Sequence, residues 1–251
     1  MTDLYTLIHK EVARFIRVWK QTLLPPIISI VLYLLIFGKF IGDKISIIEG
    51  VDYIDFIFPG LLMMSVIMAS YQNTSSSFFG SKFQHSIEEL FVSPIAHWKI
   101  LLGFCAGAVL RGMMVGGLVF LAGVFMIDFE IVSYFYMFLF LFLSATLFAL
   151  LGLFNGIFAK SFDDIAIIPS FVITPLIYLG GVFYSTSLLS PFWETISLGN
   201  PILYMVNGLR YAFIGYTDIN IFIAIAILIF FILVFIALNM HFLKKGYGIR
   251  N

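Results

Sequence analysis

The 251-residue chain predicts an all-α, polytopic integral membrane protein, and three observations carry that reading. Its residues are 61% hydrophobic and only 11% charged, where soluble domains carry about a quarter charged residues. Six apolar stretches are each long enough to cross a bilayer as a helix, which takes roughly 20 residues for a hydrocarbon core of about 30 Å. Basic residues gather on one side of those stretches and acidic ones on the other.

The N-terminal segment comes first. Wound at helical pitch, residues 3–20 place Leu4, Ile8, Val12, Phe15, Ile16 and Trp19 on one face and Lys10, Arg14, Arg17 and Lys20 opposite. Such a basic amphipathic helix is expected to lie in the membrane surface, with Trp19 at headgroup level and cations toward anionic lipid. A cytoplasmic helix packed on protein is the alternative reading. The first apolar stretch lacks a small-residue cleavage site and is too long for a signal-peptide core, so the N-terminus is expected to be retained.

Six spans follow, at 22–41, 54–78, 100–127, 131–159, 164–184 and 219–243, each bounded by charge, Gly, Pro or Asn. Helices are required because lipid offers no partner to unpaired backbone groups. Lys10, Arg14, Arg17, Lys20, Lys82, Lys99, Lys160, Lys244, Lys245 and Arg250 fall on one side. Asp43, Glu49, Asp52, Asp55, Asp128, Glu130, Glu194 and Asp218 fall on the other, with Lys39, Lys44 and Arg210 as basic company. The asymmetry predicts that both termini are cytoplasmic.

Between the second and third spans, Ile87, Leu90 and Phe91 recur at helical spacing, and Ser93-Pro94 should end the helix because the residue before proline avoids α geometry. The expectation is a short cytoplasmic helix carrying Glu88 and Glu89; a solvated loop helix without function is the plainer alternative. Residues 185–218, on the outer side, are too broken by Pro191, Asn200-Pro201, Asn207 and Arg210 to span and too apolar for a free loop. Short re-entrant helices satisfy both facts. Pro169, Pro175 and Gly180-Gly181 predict a kinked fifth span leading into them.

Several chemistries are excluded. No Gly-x-x-x-x-Gly-Lys-Ser/Thr loop occurs, so this chain alone does not bind and hydrolyse ATP. His9, His85, His97 and His241 lack metal-ligand spacing, no Gly-x-Ser-x-Gly elbow appears, and zero net charge offers nothing to nucleic acid. No catalytic or metal site is assigned. Cys105, inside the third apolar stretch, reads as a packing residue.

Two features within the spans are candidates for a gate or pathway. Arg111 lies inside the third span, where a charge costs about 2.5–3.5 kcal/mol on insertion scales and therefore faces protein, a cavity or a headgroup; function and structure are both open. Gln72 and Asn73 begin a polar run to Ser77 that either lines a route or glues helices together. Gly103, Gly107, Gly112, Gly116 and Gly117 allow close packing of the third span.

These residues together resemble the permease subunits of type 2 ATP-binding-cassette exporters, and most of all the small bacterial YadH-like permeases. The likeness rests on Phe58-Pro59-Gly60 opening the second span, Glu88-Glu89-Leu90 with Ser93-Pro94-Ile95, Arg111-Gly112, and Asn200-Pro201 followed by Arg210. It implies a single transmembrane permease domain over 1–251, in a bacterial inner membrane, forming a homodimer. A separate cytoplasmic ATPase subunit would carry ATP and Mg, this chain binding no cofactor itself. By the same resemblance, 3–20 is an interfacial helix and 185–213 an outer re-entrant segment whose Asn200 and Arg210 join the candidate gate. Segment 83–97 is then a coupling helix, with Glu88, Glu89, Leu90, Phe91 and Pro94 toward the ATPase. The implied activity is export of a hydrophobic, amphipathic or glycan-type substrate. A membrane assembly protein that moves nothing is the competing class.

Overall fold

A computed structural model describes residues 2–37, 47–48, 50–127 and 130–247. Lys39, Asp43, Lys44, Glu49, Asp128 and Arg250, which entered the charge pattern, lie outside the described residues, as does the end of the first predicted span at 38–41. Six described helices are long and apolar enough to cross a membrane: Trp19–Phe37, Tyr53–Phe83, His97–Val124, Tyr134–Phe158, Phe162–Leu179 and Ile221–Lys245. They coincide with the six predicted spans within a few residues at most ends. Only the second runs on, to Phe83, carrying its polar run deeper into the helix than expected.

Three helices form the centre: α4 (Tyr53–Phe83), α6 (His97–Val124) and α7 (Tyr134–Phe158). Apolar surface gains little by leaving lipid for protein, so small residues and interhelix hydrogen bonds must supply the contacts. Gly152 of α7 sits against the backbone of Tyr71, and Gly112 of α6 against Ser70. The buried Asn155 amide donates to the Tyr71 hydroxyl at 2.6 Å. On α12 (Ile221–Lys245), Asn239 donates to the Leu150 carbonyl at 3.0 Å, fixing the last span to α7. Lys82 closes the far end of α7, its Nζ donating to the carbonyls of Ile157 at 3.0 Å and Ala159 at 2.8 Å. A cation there satisfies terminal acceptors and opposes the negative end of the helix dipole.

The fifth span is interrupted as its prolines predicted, and the form of the break is specific. After a capping box between Ser161 and Asp164, α8 (Phe162–Ile168) gives way to a π-helical turn, Pro169–Ile173, before α9 (Thr174–Leu179). Thr174 Oγ1 donates to the Pro169 carbonyl at 2.8 Å, meeting an acceptor within the loosened turn. The next segment forms α10 (Pro191–Leu198) and α11 (Pro201–Ile214). All of α11 from Ile202 to Phe213 except Tyr211 is buried, and Gly208 lies against the ring of Phe140. A two-residue antiparallel pairing of Ile47–Ile48 with Val51–Asp52, turned at Gly50 with φ +84°, precedes α4.

The amphipathic N-terminal helix packs on the third span. Helix α1 (Thr2–Arg17) stands alongside α6 in register: Lys99 Nζ meets Asp3 at 3.1 Å, Gly103 lies under Leu7, and Gly107 under Glu11. Steps of four residues on both chains mean that the two helices run lengthwise and in the same direction. The face buried against protein is Leu7, Glu11 and Phe15, whereas Ile16 and Trp19 are exposed. Helix α1 is thus packed on protein along this stretch. Glycines without side chains made the groove, and the groove overrode the helix's apparent apolar face. One short turn, α2 (Trp19–Thr22), leads from α1 into α3 (Leu24–Leu34), the body of the first span, with Pro25-Pro26 in the first turn of α3 where no backbone donor is lost.

Candidate functional site

The polar run of α4 separates into two faces because successive helical residues point about 100° apart. Asn73 and Ser77 turn toward α1. Arg14 Nη2 donates to Asn73 Oδ1 at 2.9 Å and to its carbonyl at 3.0 Å. Ser77 Oγ donates to Glu11 Oε2 at 2.6 Å, and Arg14 Nε reaches the same oxygen at 3.3 Å. Glu11 is 1% exposed, so its charge is held by that arginine and hydroxyl and by no solvent. Sequence reasoning passed over Glu11, since one acid among Lys10, Arg14 and Arg17 reads as part of a solvated face. Two signals pointed to it: the Gly103/Gly107 spacing, and a polar run that needed an inward partner.

Gln72 and Ser76 turn the other way, into open space. Gln72, Met68 and Arg111 are shared by two recesses on this side of α4. The smaller, about 240 Å³, extends along α3 past Pro26, Ile30 and Tyr33. The larger, about 480 Å³, extends along the fifth span past Ile165, Pro169 and Thr174. Arg111, at the middle of α6, is 8% exposed. Its Nη2 donates to the Thr22 carbonyl at 3.3 Å, and its Nε has no partner among the described residues. Arg14 is the charged neighbour that bears on it electrostatically. Arg111 therefore faces both recesses.

At the end of the α4–α6 hairpin, α5 (Ser86–Val92) is the short helix expected there, and Ser93 is extended with ψ 154° as its proline requires. Ile87 is buried and anchors the helix, while Leu90 and Phe91 are half-buried against the bundle. Glu88, Glu89 and Pro94 are exposed. Glu88 faces His85 Nδ1 at 2.9 Å, and His85 itself turns the chain at φ 58°.

Asn200 and Arg210 stand far along the fold from Arg111, at the end of the bundle where α4 begins. Asn200 caps α11, accepting from the Ile202 amide at 3.0 Å, and donates to the Leu176 carbonyl at 2.6 Å. Arg210 is fully buried; its Nη2 donates to the Gly181 carbonyl at 2.6 Å and its guanidinium lies 3.8 Å from the centroid of the Phe56 ring. Both bind α11 to its neighbours. Of the five residues named as a gate or pathway, Gln72 and Arg111 meet in one recess, Asn73 turns to α1, and Asn200 and Arg210 serve the α11 packing.

Residues 2–214 match the family described as ABC-2 type transporter. The inner membrane transport permease YadH of Escherichia coli (strain K12) is 48% identical over 242 residues, covering 96% of this chain and 94% of YadH. Nodulation protein J of Neorhizobium galegae is 25% identical over 203 residues, covering 79% of this chain and 78% of its own. Nodulation protein J of Rhizobium leguminosarum bv. viciae is 22% identical over 232 residues, 90% of each chain. Six spanning helices, no ATP-binding loop and a family match over most of its length place this chain in the ABC-2 type transporter family, as a non-catalytic, membrane-spanning permease subunit.

Proposed function

We propose that this permease works as an exporter subunit, a homodimer docked on two copies of a separate cytoplasmic ATPase. It would move a hydrophobic, amphipathic or glycan-type substrate out of the cytoplasm or the inner leaflet. Both termini and α5 face the cytoplasm in this reading, and ATP and Mg reside on the partner. The observation that carries it is α5. A seven-residue helix, held by Ile87 at the tip of a long hairpin, presents two carboxylates and a proline outward, as a lever for a partner requires. The relationship to YadH, named a transport permease, supports the same reading.

ATP-driven closure of the ATPase pair displaces α5, and α4 and α6, joined to it by the short links 84–85 and 93–96, carry the displacement into the bundle. Packing between the protomers changes and substrate leaves between them. The energy comes from the partner's different affinity for two arrangements of the permease. The test is gentle detergent extraction of the tagged chain from its native membrane, with mass spectrometry of what co-purifies. An ATPase recovered one-to-one supports the exporter; its reproducible absence favours an assembly protein that moves nothing.

A further inference from the structure

The Arg111 recess narrows what that substrate is. An arginine at mid-span is costly unless something compensates it, and the compensation present is incomplete: one hydrogen bond at 3.3 Å and an Nε without a partner among the described residues. Among the described residues no carboxylate lines either lobe of the recess. Glu11, the buried acid of this region, is engaged by Ser77 and Arg14, while Arg14 adds like charge. Asp164, at the start of α8, is turned back onto the Lys160 and Ser161 amides.

The other polar groups around the recess are neutral: the exposed Gln72 amide faces it, while the Thr22, Ser75 and Ser76 hydroxyls donate to the carbonyls of Phe15 and Gln72. Beyond these the lining turns apolar, with Ile30 and Met64 in one direction and Ile165 and Pro169 in the other. A positive centre between two apolar arms is complementary to an amphiphile with a negative head. A guanidinium fork fits phosphate or carboxylate oxygens in pairs, and a cationic head would meet only repulsion.

We propose that this recess binds the anionic head group, phosphate or carboxylate, of an amphipathic molecule whose apolar chain lies along α3 or the fifth span. As a statement about exported cargo it rests on the exporter reading; as a binding site it stands without it.

The experiment uses the full-length permease in phosphatidylcholine nanodiscs, without ATPase or ATP, titrated with dodecyl phosphate and with dodecylphosphocholine. Dodecyl phosphate should bind about tenfold or more tightly, Arg111→Gln should erase the difference, and Arg111→Lys should keep part of it. If Arg111→Gln is not monodisperse, Met68→Trp fills the shared centre of both lobes with the charge intact and should weaken dodecyl phosphate by a similar factor. Competition by phosphatidylglycerol supports the site and identifies a lipid head as its source; competition by inorganic phosphate supports it and identifies the free anion. Equal affinity for the two detergents, or a preference that survives Arg111→Gln, overturns it. Absent binding in a permease that still couples to ATP turnover sinks the site and leaves the exporter standing.

Discussion

Ser77 donates to Glu11 at 2.6 Å across 66 residues of chain, and this bond fastens the N-terminal helix to the second span. Hydroxyl-to-carboxylate bonds of this length are charge-assisted and stronger than neutral ones. The other Glu11 oxygen has no partner among the described residues, so the bond to Ser77 and the Arg14 pair hold the charge between them.

Removing either member should therefore destabilise the fold. Ser77→Ala strands a buried carboxylate, and the expected loss is about 1–3 kcal/mol. Glu11→Gln leaves Arg14 unneutralised and should cost a comparable amount. The two changes together should cost less than their sum by about 0.5 kcal/mol or more, because they break one shared contact. Thermal unfolding of the four proteins in one detergent measures this; strict additivity would mean that Ser77 and Glu11 act independently.

The glycines of α6 give a contrast that separates packing from composition. A side chain at Gly107 would overlap Glu11, whereas one at Gly117 meets open space. Gly107→Leu should lift α1 from its groove and speed trypsin cleavage at Lys10, Arg14 and Arg17 by about tenfold or more, as local opening becomes cheap. Gly117→Leu should leave the cleavage rate unchanged. Equal sensitivity of the two variants would contradict the register.

Arg210 and Arg111 should behave differently although both are buried arginines. Arg210→Met removes the donor to Gly181 and should lower stability by about 1–3 kcal/mol through the orphaned carbonyl. Dodecyl phosphate binding by the folded fraction should not change, because Arg210 touches neither recess. A loss of binding without a loss of stability would move Arg210 into the pathway.

On α5, reversal of Glu88 and Glu89 to Lys should abolish substrate-linked ATPase stimulation while membrane insertion and dimerisation persist. Of the single changes, Glu89→Lys should be the more damaging, since Glu88 already faces His85. Stimulation unchanged in a reconstituted complex would remove α5 from the coupling role.

The sequence made the spans legible because hydropathy and length follow directly from the bilayer, and Ser93-Pro94 and Pro169 marked breaks through rules local to the backbone. The seat of α1 was not legible in the same way. A helical wheel ranks residues by type, and on that ranking Ile16 and Trp19 belong inside and Glu11 outside. The structure reverses this because the partner surface is itself polar: Asn73 and Ser77 ask for charge, and Gly103 and Gly107 ask for whatever stands at four-residue spacing opposite them. The bonding of Arg210 was not legible for a related reason. A charged residue in a broken apolar segment marks a pathway or a clamp, and only the position of the Gly181 carbonyl distinguishes the two.

The in-register seating of α1 also orders events during synthesis. Its partners are Asn73 and Ser77 on the second span and Lys99, Gly103 and Gly107 on the third. The ribosome makes residues 2–17 long before the groove that receives them, so the first helix synthesised cannot take its place until two later spans have entered the bilayer. Until then Glu11 has neither Ser77 nor a dry groove, and the segment waits with its charge in water or among headgroups. Seating of α1 thus follows the synthesis of both spans that hold it.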